Sequence, residues 1–242
     1  MKKDKRIFEE LQRSLAGLDG NLYVLDTTIP IDKQMRYFHY TEEIRTRSTD
    51  KTLEEQIEIL NSTEATLKEM KDAMAFLAIS GDVKAYRALE NYSKELPNKD
   101  LIEWITLSLI QAKITLETEF SEEKRIFIST GLGGNGSNLR FFAFFKSAEL
   151  KTFSAYQRDL IEKEFSYFIA QSQGKAEEIK IEDNYFTLLF LLEFHTDIKN
   201  VLQRAVNECN QYGGFIDENF IITNVKVFDE EDIQRELKIN KK

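Results

Sequence analysis

Tyr185-Phe-Thr-Leu-Leu-Phe-Leu-Leu-Glu-Phe194 is the stretch of this 242-residue sequence that decides the fold. Apolar side chains fall on both alternating sets of its positions, which is typical of a β-strand buried on both faces. Residues 139–145 show the same two-sided pattern. We therefore expect a sheet with two covered faces. Two helices cover one face, and the N-terminal helices or a second copy of the sheet cover the other.

The elements predicted around this strand alternate between the strand and helix periods. In chain order they are a strand at 125–130, a strand at 139–146, a helix at 152–173, a strand at 177–181, a strand at 185–194, a helix at 197–212, a strand at 220–228 and a short charged helix at 229–237. From residue 139 onward the order is β-α-β-β-α-β, which is the ferredoxin-like pattern. Residues 121–242 are thus predicted to form a ferredoxin-like antiparallel sheet with one extra leading strand.

Residues 1–120 are predicted to be mostly helical. Helices are expected at 4–16, from Leu53 to Leu77, from Val83 to before Pro97, and from Asn98 or Asp100 to about Phe120. The short turns between the last three helices favour an antiparallel helical array. Residues 21–50 fit either short strands or a helix with an extended loop. The whole chain is therefore predicted to be α+β, with regions 1–120 and 121–242.

The charge of the chain argues against nucleic acid as a partner. The net charge is −9, with 17 basic and 22 acidic side chains in residues 1–120 and 16 and 20 in residues 121–242. Binding to a phosphate backbone draws on clustered Lys and Arg, which neither half offers. Nucleic acid is therefore disfavoured by the sequence.

Cysteine content and hydropathy point to a reducing, cytoplasmic setting away from membranes. Cys209 is the only cysteine, so no intrachain disulfide can form. Acidic residues interrupt the N-terminus where a signal peptide needs an apolar stretch. The longest apolar-rich run, Leu101 to Ile110, is too short to span a bilayer.

The strongest candidate for a binding site is Gly131-Leu-Gly-Gly-Asn-Gly136. It matches G-x-G-x-x-G literally, but a dinucleotide site also needs a helix to open at the last glycine. Here a strand follows, and no Lys-Ser or Lys-Thr pair completes a phosphate-binding P-loop. The segment is either a flexible hairpin tip or a nest of backbone N–H groups that binds an anion with help from Arg140. The predicted ligand-binding residues are Gly131, Gly133, Gly134, Asn135, Gly136 and Arg140.

Other residues give weaker signals. The aromatic run Phe141–Phe145 is partly similar to an RNA-recognition strand, but it lacks the glycine of that pattern and lies on the first strand, so core packing is favoured. His39 and His195 have no metal-ligand spacing with Cys209. Asp197, beside His195 at a strand end, is explained as a helix cap. We predict no catalytic residue, no metal site and no cofactor.

These observations favour a non-enzymatic cytosolic interaction or ligand-sensing module. The alternative is a small-molecule or phosphate-binding protein, with or without enzymatic activity, that uses the Gly131–Gly136 segment and Arg140. The expected partner is an unidentified protein or a small anionic ligand, and a homodimer is compatible with the sequence.

Overall fold

The structure, a computed structural model, describes residues 22–24, 28–47, 51–95, 98–120 and 126–238. The described residues divide into a helical unit (residues 29–127) and a plait unit (residues 22–24, 28 and 128–238). The predicted α+β class is confirmed. Short strands β1 (Leu22–Val24) and β2 (Ile126–Ile128) lie near the unit boundaries. The helix expected at 4–16 lies outside the described residues.

The helical unit is built from α-helices, of which the last four share one apolar core. The helices are α1 (Ile31–Thr46), α2 (Leu53–Asn61), α3 (Leu67–Ile79), α4 (Val83–Lys94) and α5 (Ile102–Phe120), with a 3-10 turn at Lys99–Leu101. Met74, Leu77, Leu89 and Leu101 are fully buried in this core. Residues 31–46, which the sequence left open between strand and helix, are therefore helical.

The single helix predicted from Leu53 to Leu77 is in fact two helices. The first helix ends at Asn61, and Thr66 caps the second: its side chain accepts a hydrogen bond from the Glu69 N–H, while the Glu69 carboxylate accepts one from the Thr66 N–H. This reciprocal pair is a capping box, which starts a new helix at Leu67. The apolar spacing continues across the break and hides it in the sequence.

The plait unit contains one antiparallel sheet with helices between its strands. Its elements are β3 (Gly134–Asn135), β4 (Asn138–Lys146), α6 (Ala155–Gln171), β5 (Lys175–Ile181), β6 (Tyr185–Glu193), α7 (Ile198–Asn210), β7 (Ile221–Thr223) and α8 (Glu230–Lys238). The strand order β7-β4-β6-β5 is that of a ferredoxin-like plait. The extra leading strand is β3, which pairs with the start of β4, whereas β2 is not part of this sheet.

The first face of the sheet, called the helix face, packs against α6. Phe141, Ala143 and Phe145 of β4 lie opposite Phe190, Leu188 and Phe186 of β6. The rings of Phe145 and Phe186 stack with centroids 4.5 Å apart, and Phe165 of α6 meets both rings edge-on at 4.9 and 5.1 Å. All three rings are fully buried, as the sequence predicted for an apolar strand.

The opposite face is also covered, but by a different element from the one expected. Its half-buried and buried side chains, called here the platform, are Phe142, Phe144, Tyr185, Leu189 and Ile221. Phe228, Ile233 and Leu237 pack against them. The expectation named the N-terminal helices or a second copy of the sheet, whereas within the plait unit it is this later segment of the chain that packs on the face. The strand expected at 220–228 ends at Thr223, which frees the chain to cross the platform.

Phe186→Ala is expected to lower the free energy of unfolding by about 3–5 kcal/mol, because it removes a ring held between Phe145 and Phe165. Tyr156→Ala, which truncates a 60% exposed ring on α6, is the control and should change it by less than about 0.5 kcal/mol. Denaturant unfolding followed by circular dichroism measures both. Equal effects from the two variants would contradict the described core.

Candidate functional site

The glycine-rich segment is packed into the plait unit through its backbone. The Leu132 N–H donates to the Asn224 carbonyl at 3.1 Å, and the Arg140 N–H donates to the Gly133 carbonyl at 3.0 Å. The Gly136 carbonyl accepts from the Val24 N–H at 2.9 Å. Residues 131–134 are buried and residues 135–137 are exposed. The segment is therefore a junction between β4, β1 and the chain that follows β7.

Two glycines in this segment have a clear structural reason. A Cβ on Gly131 would overlap the carbonyl oxygen of Val225, so only glycine lets the two backbones approach. Gly136 has φ +61°, a conformation that side chains rarely adopt. The backbone that approaches this segment is that of residues 224–225 of the same unit.

Arg140 is engaged on all sides by the protein itself. Its Nε and Nη2 donate to the two Glu177 carboxylate oxygens at 2.6 and 3.1 Å, and its Nη1 donates to the Leu132 carbonyl at 2.8 Å. The side chain is only 16% exposed. Such a two-pronged pair holds the guanidinium in place. Anion binding by Gly131, Gly133, Gly134, Asn135, Gly136 and Arg140 stays a prediction, and this geometry gives Arg140 a structural role.

These contacts form a chain that fixes where residues 224–238, called here the cap, leave the sheet. The Arg140 guanidinium donates to the Glu177 carboxylate on β5 and to the Leu132 carbonyl. The Leu132 N–H in turn donates to the Asn224 carbonyl. Leu132 also packs beside Phe142 and Phe144 in the platform cluster. The glycine segment therefore anchors the root of the cap.

The platform carries a planar ring on its surface. The Phe228 ring of the cap lies 5.1 Å from the Phe142 ring and 6.0 Å from the Phe144 ring, centroid to centroid. The Tyr185 ring lies 5.6 Å from the Phe144 ring, centroid to centroid. Burial raises the pKa of the Tyr185 phenol, and the nearby Glu182 and Glu230 carboxylates add to the effect. The platform is thus a row of rings that accepts a further flat ring.

Lysine side chains lie on the same face of the sheet as the platform. Lys146 pairs across the ladder with Tyr185, Lys180 with Thr187, and Lys175 with Leu191. Partners in an antiparallel ladder project to one face, so these lysines border the aromatic rings. Lys175 and Lys180 are exposed, and Lys180 forms an ion pair with Glu178 at 3.0 Å. The face therefore combines aromatic rings with basic side chains.

The cap is held in shape by its own charges. The Asp229 and Asp232 side chains each accept a hydrogen bond from the backbone N–H of the other residue, which fixes the start of α8. Lys226 and Arg235 both pair with the Asp232 carboxylate. The pKa of the Asp232 carboxyl lies below its ordinary value, and the hydrogen bond from the Lys226 ammonium is the main cause. The only apolar hint of this element in the sequence is Ile233 and Leu237, spaced i, i+4 on an otherwise charged helix.

The residues considered for nucleophilic or metal chemistry do not come together. Cys209 is buried, and burial raises its pKa to about 12, which keeps it a neutral thiol. His195 is exposed and its ring lies edge-on to Phe194 at 5.2 Å. Asp197 caps α7 by accepting from the Asn200 N–H at 3.1 Å, as predicted. The described residues contain no cluster of His, Cys, Asp or Glu that could hold a metal ion.

Membrane insertion finds no support in the described helices. None of them is long and apolar enough to cross a bilayer.

Comparison with known proteins gives similarity only at the level of fold. No family model and no curated protein matches the chain. A protein assigned as a transposase in Deinococcus radiodurans R1 is 11% identical with a TM-score of 0.36, over 49% of this chain and 95% of the other. A REP-associated tyrosine transposase bound to a REP hairpin is 9% identical with a TM-score of 0.33, over 48% of this chain and 68% of the other. Similarity this weak carries no activity over.

The sequence-based expectation about partners is nevertheless wrong. It named an unidentified protein, a small anionic ligand or a second copy, and it disfavoured nucleic acid. One of the similar structures is bound to a REP hairpin. The expectation rested on net charge, which averages over the whole surface, whereas nucleic-acid binding also draws on stacking at one local face.

Arg140→Gln is expected to lower the free energy of unfolding by about 1.5–3 kcal/mol, because it removes hydrogen bonds to the Glu177 carboxylate and the Leu132 carbonyl. Lys151→Gln is the control, since the Lys151–Glu149 pair is exposed and its loss should give no measurable change. Denaturant unfolding measures both. An unchanged stability of Arg140→Gln would show that the guanidinium does not anchor the segment.

Proposed function

We propose that the plait unit is a non-catalytic binding module for single-stranded nucleic acid, and that the platform with its bordering lysines is the recognition surface. The observation that supports it most is the position of Phe228, whose flat ring rests against Phe142 and Phe144. A surface that accepts this ring has the shape and chemistry to accept an unpaired base. The cytoplasmic setting predicted from the sequence is compatible with this role.

Stacking supplies the affinity in this proposal. Alanine substitution puts base–aromatic stacking at about 1–3 kcal/mol per base, and every base offers a flat face. Phe142, Phe144 and Tyr185 lie side by side on two neighbouring strands. Unpaired bases can reach such a surface, whereas the bases of a duplex are already stacked on one another. We therefore expect single strands to bind more tightly than duplexes.

Electrostatic attraction to the phosphates supplies a smaller share of the binding free energy. Lys175 and Lys180 are exposed basic side chains on the platform face, Lys146 is buried, and Glu178 neutralises part of Lys180. With about two phosphates neutralised, log Kd should change with log salt concentration by a slope of about 1–2, since a single strand contributes about 0.7 per phosphate. This shallow slope agrees with a chain whose net charge is −9.

The test is fluorescence anisotropy of a labelled mixed-sequence single-stranded 12-mer, with the duplex of the same sequence for comparison. Lys175→Glu combined with Lys180→Glu should weaken single-strand binding about tenfold or more, because both exposed side chains lie on the platform face. Lys163→Glu combined with Lys199→Glu makes the same charge change on exposed positions of α6 and α7 and is the matched control.

If both double variants weaken single-strand binding equally, the loss reflects the overall charge of the chain, and the platform face is not the recognition surface. Absence of binding by the full chain and by a Phe228→Ala variant, with both shown to be folded, would reject the proposed function.

A further inference from the structure

We propose that the cap, residues 224–238, is an autoinhibitory element that must leave the platform before nucleic acid binds. This inference rests on the proposed function and concerns the regulation of the same surface. It follows from what the cap occupies, how it is attached and what charge it brings.

The cap and a stacked base would compete for the same place. Phe228 lies against both Phe142 and Phe144, which are only 3% and 1% exposed in this arrangement. Ile233 and Leu237 of α8 pack in the same cluster. A base can stack on these rings only after Phe228 has moved. Binding and closure are therefore mutually exclusive.

The attachment of the cap is suited to release. Phe228, Ile233 and Leu237 are each only partly buried, so the docked helix keeps a large share of its surface in water. The root is held more firmly, through the Leu132 N–H bond to Asn224 and the close approach of Gly131 to Val225. Such an element can swing away while its root stays in place. The Asp229–Asp232 capping pair, with Lys226, lies within the cap and can move with it.

The charge of the cap opposes nucleic acid while the cap is closed. Asp229, Glu230, Glu231 and Asp232 are consecutive at the start of α8. Glu230 stands in the same helix as Ile233 and Leu237, which pack on the platform, and its carboxylate adds to the raised pKa of the Tyr185 phenol. Closed, the face therefore offers carboxylates where phosphates would need cations. Open, it offers the exposed Lys175 and Lys180 together with the rings.

The experiment compares Ile233→Asp with Gln234→Asp in the full chain. Ile233 packs in the platform cluster, whereas Gln234 is exposed on the same helix, so each variant adds one carboxylate but only the first disturbs docking. Hydrogen–deuterium exchange of residues 226–238 reports release, and anisotropy with the labelled single-stranded 12-mer reports binding. We expect Ile233→Asp to exchange faster in this segment and to bind about tenfold more tightly, because a larger fraction is competent to bind. Gln234→Asp should match the unmodified chain in both measurements.

Each outcome separates the two proposals. Faster exchange in Ile233→Asp with unchanged oligonucleotide affinity overturns the autoinhibitory cap and leaves the binding module standing if the unmodified chain binds. Unchanged exchange in Ile233→Asp also overturns it, since the helix would then not be held by this contact. No binding by any variant, open or closed, rejects the binding function itself. Leu237→Asp, which disturbs the same docking contact from the next turn of α8, supplies a second open variant should Ile233→Asp fail to fold.

Discussion

The plait depends on one constraint: its two central strands are apolar on both faces. β4 and β6 place Phe141, Phe145, Phe186 and Phe190 on one side and Phe142, Phe144 and Leu189 on the other. Apolar area on each side must leave water, because each large side chain buried contributes about 1.5–3 kcal/mol. α6 and α7 follow strands of the sheet and can reach one side only. The second side needs a separate cover, and the chain supplies it from its own C-terminal end.

The structural role of the glycine-rich segment is to position the start of that cover. Gly131 lets the backbone approach Val225, and the Leu132 N–H holds Asn224 where the cap begins. Arg140 ties this junction to Glu177 on the far side of β6, so the edge strand β5, the glycine segment and the cap are linked through one side chain. A segment that resembles a phosphate loop in sequence thus serves as an anchor in the structure, and the surface of interest lies beside it.

The sequence was sufficient to predict those features that depend on neighbouring residues alone. The βαββαβ order followed from the hydrophobic period, and the cap at Asp197 followed from the preference of Asp for helix starts. The break at Thr66 was missed because the apolar stripe continues through it. The partner of Arg140 was missed because Glu177 is 37 residues away. The cover of the platform could not be read either, since a short charged helix with two apolar residues fits many surfaces equally well.

The most direct test of this account is hydrogen–deuterium exchange of the unmodified full chain with and without saturating single-stranded oligonucleotide. We expect residues 226–238 to exchange faster once the oligonucleotide is bound, while residues 175–181 of β5, which carry Lys175 and Lys180, exchange more slowly. Bound oligonucleotide with unchanged protection in 226–238 would contradict it, because the platform would then still lie under Phe228.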